Sequence, residues 1–364
     1  MRVGIDAGRV LRGHGGVSSY SRELIRALAG EGVAHEIVLF DLDGKTPYRG
    51  ELEDALGPLP SRVSIAPTSR AKLEEIDLFH APGFAMPPAG ARRHVFTVHD
   101  LTVLSHPECH TVGNRVRTLA SVAEALVRGA TVIAVSEATR REALRLLALP
   151  SEDVEVLPPI LSPIFAAHGD AGADDRVVRS RGIEGSYVLA VASLEPRKNI
   201  GRLLEAWSLL SEELKKTHQL VVVAADGWLQ SKVRSRLDAM SRTRTVLNVG
   251  HLPAGELAAL YRRARVFVFP SLAEGFGLPV AEAMACGAPT VTSNRSSLPE
   301  VAGDAAVLVD PEDPDEIAGA VTTVLEDQGL RRGLRDRGFE RARSFTSSVI
   351  VPRLLAIYQR AAAG

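Results

Sequence analysis

Two carboxylates and two cations carry most of the chemistry that this sequence offers. Glu274 and Glu282 stand eight residues apart in FPSLAEGFGLPVAEAMACGAPTVTSN. The apolar run Val266–Phe269 reads as a strand stopped by Pro270. A loop holding Glu274, Gly275 and Gly277 follows, and a helix opens near Pro279, because the fixed backbone angle of proline suits a first turn. Such a loop turns backbone N–H groups and a helix amino terminus toward phosphate. A carboxylate on either side supplies fixed, charged acceptors for hydroxyl groups. Arg197 and Lys198 follow a second strand, in a turn set by Pro196. Fixed cations there favour a leaving diphosphate more in the transition state than in the ground state. Taken singly, each pair has an ordinary reading: acidic residues near a helix start complement its dipole, and Arg-Lys before a helix is commonly a solvated turn.

Other positions are weaker. Gly15-Gly16 precedes a helix expected to start at Ser18 or Ser19. Glycine there lets a backbone approach a phosphate or sugar closely, and serine is a good cap. His99, followed by Asp100, ends the expected strand His94–Val98, at the strand end where α/β proteins bind ligands. His80 and Ser136 end two further strands. His80 is a secondary candidate for an acceptor pocket, while Ser136 either lines the same wall or caps the helix SEATRREAL. Asp41-Leu42-Asp43 has the form of a metal-binding Asp-x-Asp, yet it runs into Gly44 and reads as a turn. The sequence has no zinc-ligand spacing, no Ser–His–Asp set and no P-loop.

The Glu-x7-Glu pattern within EGFGLPVAEAMACGAP resembles the hallmark of the retaining glycosyltransferases of family 4, which have the two-domain GT-B fold. SLEPRKNIGRLLEAW resembles the Arg/Lys loop with which these enzymes hold the donor diphosphate. RVLRGHGGVSSYSRELIRAL resembles their glycine-rich first loop and helix, FTVHDL their histidine segment, and VIAVSEATRREAL the last strand and helix of their first domain. Matching pieces run from about residue 4 to residue 310. The resemblance implies a catalytic set of Glu274, Arg197, Lys198 and His99. Arg197 and Lys198 would stabilise the leaving phosphate, Glu274 would orient the sugar hydroxyls, and His99 would touch the transferred sugar. Glu282 would bind the ribose. Gly16, Asp226 after the strand LVVVAAD, Leu252 beside His251 in GHLPAGELAALYRRA, and Phe276, Gly277 and Leu278 would complete the donor site. Some relatives carry a further arginine where this chain has Ala192 or Ser193.

The same resemblance implies a reaction without cofactor or metal, in which the leaving phosphate itself takes the acceptor proton. HDL, LEPRKN and EGFGLP resemble the mannosyltransferase branch, so GDP-mannose is the expected donor. A saccharide or lipid-linked oligosaccharide is the expected acceptor, in polysaccharide or glycoconjugate synthesis, and a lipid-linked one implies contact with the inner face of a membrane. Three alternatives stand beside this reading. They are a UDP- or TDP-sugar-dependent transferase of the same family, another enzyme of the fold such as an epimerase or a phosphorylase, and a non-catalytic GT-B partner subunit. A phosphorylase needs a pyridoxal phosphate lysine segment, which the sequence does not show.

Positioning these residues requires an α/β frame. Short β-branched runs alternate with helical patterns throughout: Arg2–Ile5, Glu36–Phe40, Leu78–His80, His94–Val98, Thr131–Val135 and Val154–Leu157, then Tyr187–Val191, Leu220–Ala225, Val246–Val249, Val266–Phe269, Thr290–Thr292 and Ala306–Leu308. Several are apolar almost throughout, as parallel strands covered on both faces require. The alternation breaks once, after Pro158-Pro159, around HGDAGADD. The expectation is therefore two Rossmann-like doubly wound domains, 1–165 and 183–345, joined by a linker at 166–182, with ligands at the carboxyl ends of both sheets. The terminal helix, 346–364, is expected to cross back to the first domain.

Composition agrees with that frame. Of 364 residues, 45% are hydrophobic and 24% charged, inside the globular range. Forty-three basic residues against 44 acidic ones leave a net charge of −1, which gives no bulk attraction to nucleic acid. The two cysteines, Cys109 and Cys286, are too few for a disulfide framework, and a cytoplasmic location is expected.

Overall fold

A computed structural model describes the chain except residues 14, 31–32, 43, 45, 226–230, 243–244 and 364 and the side chains of 225, 231 and 232. Two compact units result, one formed by Met1–Ser162 with Phe345–Gly364 and the other by Pro163–Ser344.

The first unit is built on seven strands: β1 (Arg2–Asp6), β2 (Glu36–Phe40), β3 (Val63–Ile65), β4 (Leu78–Ala81), β5 (Arg93–Val98), β6 (Thr131–Ala134) and β7 (Val154–Val156). They run parallel in the order β3-β2-β1-β4-β5-β6-β7. The second has β8 (Ser186–Ser193), β9 (His218–Ala225), β10 (Val246–Asn248), β11 (Val266–Phe269), β12 (Thr290–Ser293) and β13 (Ala306–Val309), also parallel, in the order β10-β9-β8-β11-β12-β13. Both sheets are doubly wound. The near-continuous apolar runs are explained by helices on both faces: every residue of β4, β11 and β12 is buried. All twelve expected strands are present. The thirteenth, β3, went unread because it is three residues long at a sheet edge and only Val63 is fully buried.

The strand order reverses between β1 and β4 in the first sheet, and between β8 and β11 in the second. At such a switch point adjacent connections leave to opposite faces, so the carboxyl ends of the two strands open a crevice. Chain segments carrying Arg9 and Gly15-Gly16 follow β1, and Arg197 and Lys198 follow β8. Glu274 follows β11.

Residues 166–182, expected as a linker, instead hold the helix Ala171–Ser180 within the second unit. Asp170 caps it by accepting from the backbone N–H groups of Gly172 and Ala173. Asp174 on its buried face receives a bidentate pair from Arg262 at 2.7 and 2.6 Å, on the helix Ala254–Arg263. A polar composition hid a helix whose buried face carries the Asp174–Arg262 ion pair beside a single buried apolar residue, Val178. The terminal helix Ser347–Ala363 belongs to the first unit, where Ile350, Leu354, Ile357 and Tyr358 are buried. Arg360 on it pairs with Glu155 on β7 at 2.6 Å. Among the described residues no helix is long and apolar enough to cross a membrane.

Candidate active site

The chemistry of the second unit gathers at its switch point. β8 ends at Ser193, and a short 3-10 turn, Pro196–Lys198, presents the two cations before the helix Ile200–Leu209. Asn199 adopts a left-handed conformation (φ 60°) between them, and its side-chain amide donates to the carbonyls of Pro270 at 3.0 Å and Pro311 at 2.6 Å. That bond ties the cation loop to the segment following β11. On the facing loop Glu274 lies between both cations: Arg197 Nη1 donates to Oε2 at 2.7 Å and Lys198 Nζ to Oε1 at 2.6 Å. Glu195 takes Arg197 Nε at 3.2 Å, and Ser193 donates to Glu195 at 2.6 Å. Lys198 Nζ also stands 5.4 Å from the centroid of the Phe269 ring.

Two carboxylates thus compensate two cations, and the side chains are 8–16% exposed. Burial pushes the Glu274 carboxyl up, but Arg197 and Lys198 overcome it and bring the group down to about 2. Burial lowers Lys198, against the opposing pull of Glu274. Serines hold the Glu274 loop in place: Ser297 Oγ donates to the carbonyls of Glu274 at 2.9 Å and Phe276 at 2.8 Å, and Ser296 Oγ accepts from Glu274 N at 3.1 Å. The sequence reading missed Glu195, Ser296, Ser297 and Asn199. Their common signal is position, since each lies in a loop leaving the carboxyl end of β8 or β12.

Gly277 is left-handed (φ 101°) and precedes the helix Leu278–Ala285, where Pro279 lies in the first turn as expected. A side chain there would meet Leu298 Cδ2 at 2.5 Å, so glycine is required twice over. Phe276 is buried beside it. Glu282 sits one turn inside that helix and accepts from Tyr261 Oη at 3.2 Å. Although part of Glu282 reaches the surface, desolvation pushes its carboxyl up to about 7, against the hydrogen bond from Tyr261. Leu252 is buried in the loop between β10 and the helix Ala254–Arg263, with His251 exposed beside it. Asp226 lies outside the described residues.

In the first unit, His99 follows β5. Its Nε2 lies 2.7 Å from the Pro82 carbonyl, which can only accept, so Nε2 carries the proton and Nδ1 presents a lone pair. Tyr20 and Phe84 meet the ring edge-on at 4.8 and 5.9 Å, and burial lowers its pKa, keeping it neutral. Gly15 has φ 82°, and the helix begins at Gly16, two residues earlier than expected, because Gly15 rather than a serine occupies the cap position. His80 is not a pocket residue. It is fully buried, with Nδ1 2.7 Å from Tyr358 Oη and Nε2 2.8 Å from Thr97 Oγ1, and burial drives it down to about 3. Ser136 is also buried, and its hydroxyl accepts from Thr139 N at 3.0 Å as the cap of the helix Glu137–Leu147.

These features define a class. The family model described as "Glycosyl transferases group 1" matches residues 176–341, and the one described as "Glycosyltransferase Family 4" matches residues 14–163. The chain belongs to the family 4 glycosyltransferases of GT-B fold. It is 31% identical over 353 residues to the O-antigen chain mannosyltransferase B of Escherichia coli, with 91% of this chain and 92% of that protein covered. It is also 31% identical over 242 residues to the MMP alpha-(1->4)-mannosyltransferase of Mycolicibacterium hassiacum, covering 64% of this chain and 54% of that one. In fold it resembles Anabaena HepE in complex with UDP-glucose, with a TM-score of 0.78, 16% identity and coverage of 99% of this chain and 100% of that one.

Proposed function

We propose that this glycosyltransferase moves a hexose, with mannose from GDP-mannose as the first assignment, to a saccharide or lipid-linked oligosaccharide with retention of configuration. The observation that carries the reading is Glu274 bridging Arg197 and Lys198 at the second switch point. The second unit holds the donor. As the bond between the anomeric carbon and the phosphate oxygen breaks, negative charge builds on the phosphate, where Arg197, Lys198 and the helix amino terminus at Gly277 stabilise it. The acceptor oxygen bonds to the anomeric carbon on the face being vacated and gives its proton to the departing phosphate. Glu274, ionised at any physiological pH, fixes the cations and accepts from sugar hydroxyls. Neutral His99 offers Nδ1 to another hydroxyl, and Glu282 takes the ribose. The positive charges already in place leave no step that calls for a metal. Mannose is supported by the likeness to the E. coli mannosyltransferase along nearly the whole chain. Contact with a membrane surface is supported by Val112, Val116 and Val127, which are 72%, 62% and 88% exposed on one helix that also carries Arg115 and Arg117.

A thermal-shift panel of GDP, UDP, ADP and TDP with their sugar conjugates tests the reading. A ligand at ~100 times its dissociation constant adds about 2.7 kcal/mol. GDP and GDP-mannose are expected to stabilise selectively, and transfer is expected to persist in EDTA. A shift with UDP alone would replace the donor, and no shift with any nucleotide would favour a non-catalytic subunit. E274Q and K198A are expected to lower turnover by about 10²–10³ while remaining folded by circular dichroism. Near-normal rates in both would sink the site assignment.

A further inference from the structure

The switch point of the first unit holds a cation that the mechanism has not used. Arg9 follows β1 and is partly buried. It lies over Gly83, which follows β4: a side chain on Gly83 would meet Arg9 Cγ at 3.2 Å and Nε at 3.8 Å. Arg9 therefore spans the two strands between which the sheet order reverses. His99, on the next strand over, feels its charge.

Nearby carboxylates are committed elsewhere. Asp6 accepts from the backbone N–H groups of Gly8 at 3.0 Å and Leu42 at 3.2 Å. Asp41 is paired in bidentate fashion with Arg12. Asp100 accepts from Thr102 N at 3.0 Å and from the Thr102 hydroxyl at 2.5 Å. Among the described residues no ion pair or side-chain hydrogen bond forms on Arg9. The second unit differs at the corresponding place, where Glu195 and Glu274 neutralise Arg197 and Lys198. A partly buried guanidinium without a counter-charge is costly to the fold, and a planar fork of donors fits the oxygens of a phosphate.

We propose that Arg9 is a specificity-determining residue that takes a phosphate group of one of the two substrates at the switch point of the first unit. This rests on the transferase reading above. The phosphate belongs either to the donor diphosphate or to a phosphate-linked acceptor, and the same variant separates the two.

Calorimetric titrations of wild type, R9K and R9Q with inorganic pyrophosphate, GDP and UDP form one arm. Initial rates with a lipid-diphosphate-linked glycoside and with its neutral alkyl glycoside form the other. Since no described side chain pairs with Arg9, R9Q is expected to melt at or above the wild type. A tenfold or greater loss of nucleotide and pyrophosphate affinity in R9Q, partly restored in R9K, assigns Arg9 to the donor. Unchanged nucleotide affinity with a tenfold higher KM for the phosphate-bearing acceptor alone assigns it to the acceptor. Pyrophosphate, nucleotide and acceptor parameters all within twofold of wild type would overturn the proposal. Failure of every nucleotide to bind the wild type would defeat the transferase reading instead, and the pyrophosphate titration would still decide Arg9.

Discussion

Two glutamates eight residues apart in one loop-helix segment have opposite electrostatic fates. Glu274, flanked by Arg197 and Lys198, is held near 2, whereas Glu282, whose hydrogen-bond partner is the neutral Tyr261, is pushed up to about 7. Sequence spacing marks both as acceptors, but the difference in charge arises only once β8 has brought the cations to Glu274. It predicts a pH dependence. If Glu282 takes the ribose as proposed, only its ionised form accepts from both hydroxyls, so the free protein must lose a proton there before it binds nucleotide well. From pH 6 to pH 8 the ionised fraction of a group near 7 rises about tenfold. Nucleoside diphosphate affinity, measured by calorimetry, is expected to strengthen by about that factor and then level off. In E282Q affinity is expected to be weaker and flat with pH. A flat profile in the wild type would show that Glu282 binds as an acid or not at all. For stability the sign is reversed: a raised carboxyl favours the fold below about 4, and that contribution is lost as pH rises toward 7.

At the scale of elements, the helix Val112–Val127 stands out. Its valines at 112, 116 and 127, with Ala120 and Ala123 between them, fall on one exposed stripe at helical spacing, and Arg115 and Arg117 lie beside it. The opposite face, with Thr118, Val122 and Ala125, is buried. The sequence shows an apolar-rich helix, but only burial separates the face that packs on the sheet from the face that does not. If the exposed stripe meets anionic lipid, the protein is expected to sediment with phosphatidylglycerol-containing vesicles and not with phosphatidylcholine alone. Each arginine near such a surface is worth ~1 kcal/mol, so R115Q/R117Q is expected to weaken partitioning about thirtyfold. Equal sedimentation of the variant and wild type would leave the helix as a solvated face.

Across the whole molecule, the two ends of the chain build one unit. The terminal helix Ser347–Ala363 closes the first sheet through Tyr358, whose hydroxyl meets His80 Nδ1 at 2.7 Å across 278 positions of sequence. Y358F removes that partner from a fully buried ring nitrogen and is expected to cost about 1–3 kcal/mol in urea unfolding. A loss under about 0.5 kcal/mol would mean that His80 finds another partner. Here lies the boundary between what sequence and structure each decide. Strand identity and the doubly wound class were legible because they are local: continuous apolar runs with glycine and proline punctuation. Glu274, Arg197 and Lys198 were each marked by their own loops, but their meeting across 76 and 77 positions of sequence was not legible. The helix Ala171–Ser180 was not legible, because its buried face combines the Asp174–Arg262 ion pair with only one buried apolar residue, Val178, instead of a full apolar stripe. Nor was the core role of His80, which looked like a strand-end ligand until Tyr358 and Thr97 filled both its nitrogens. The same holds for the contrast between Arg12, paired with Asp41, and Arg9, which pairs with no side chain among the described residues. Sequence determined which groups are present and on which elements, because periodicity and turn chemistry are short-range. Tertiary structure decided which of those groups are neutralised, desolvated or left to bind, because those depend on neighbours far away along the chain.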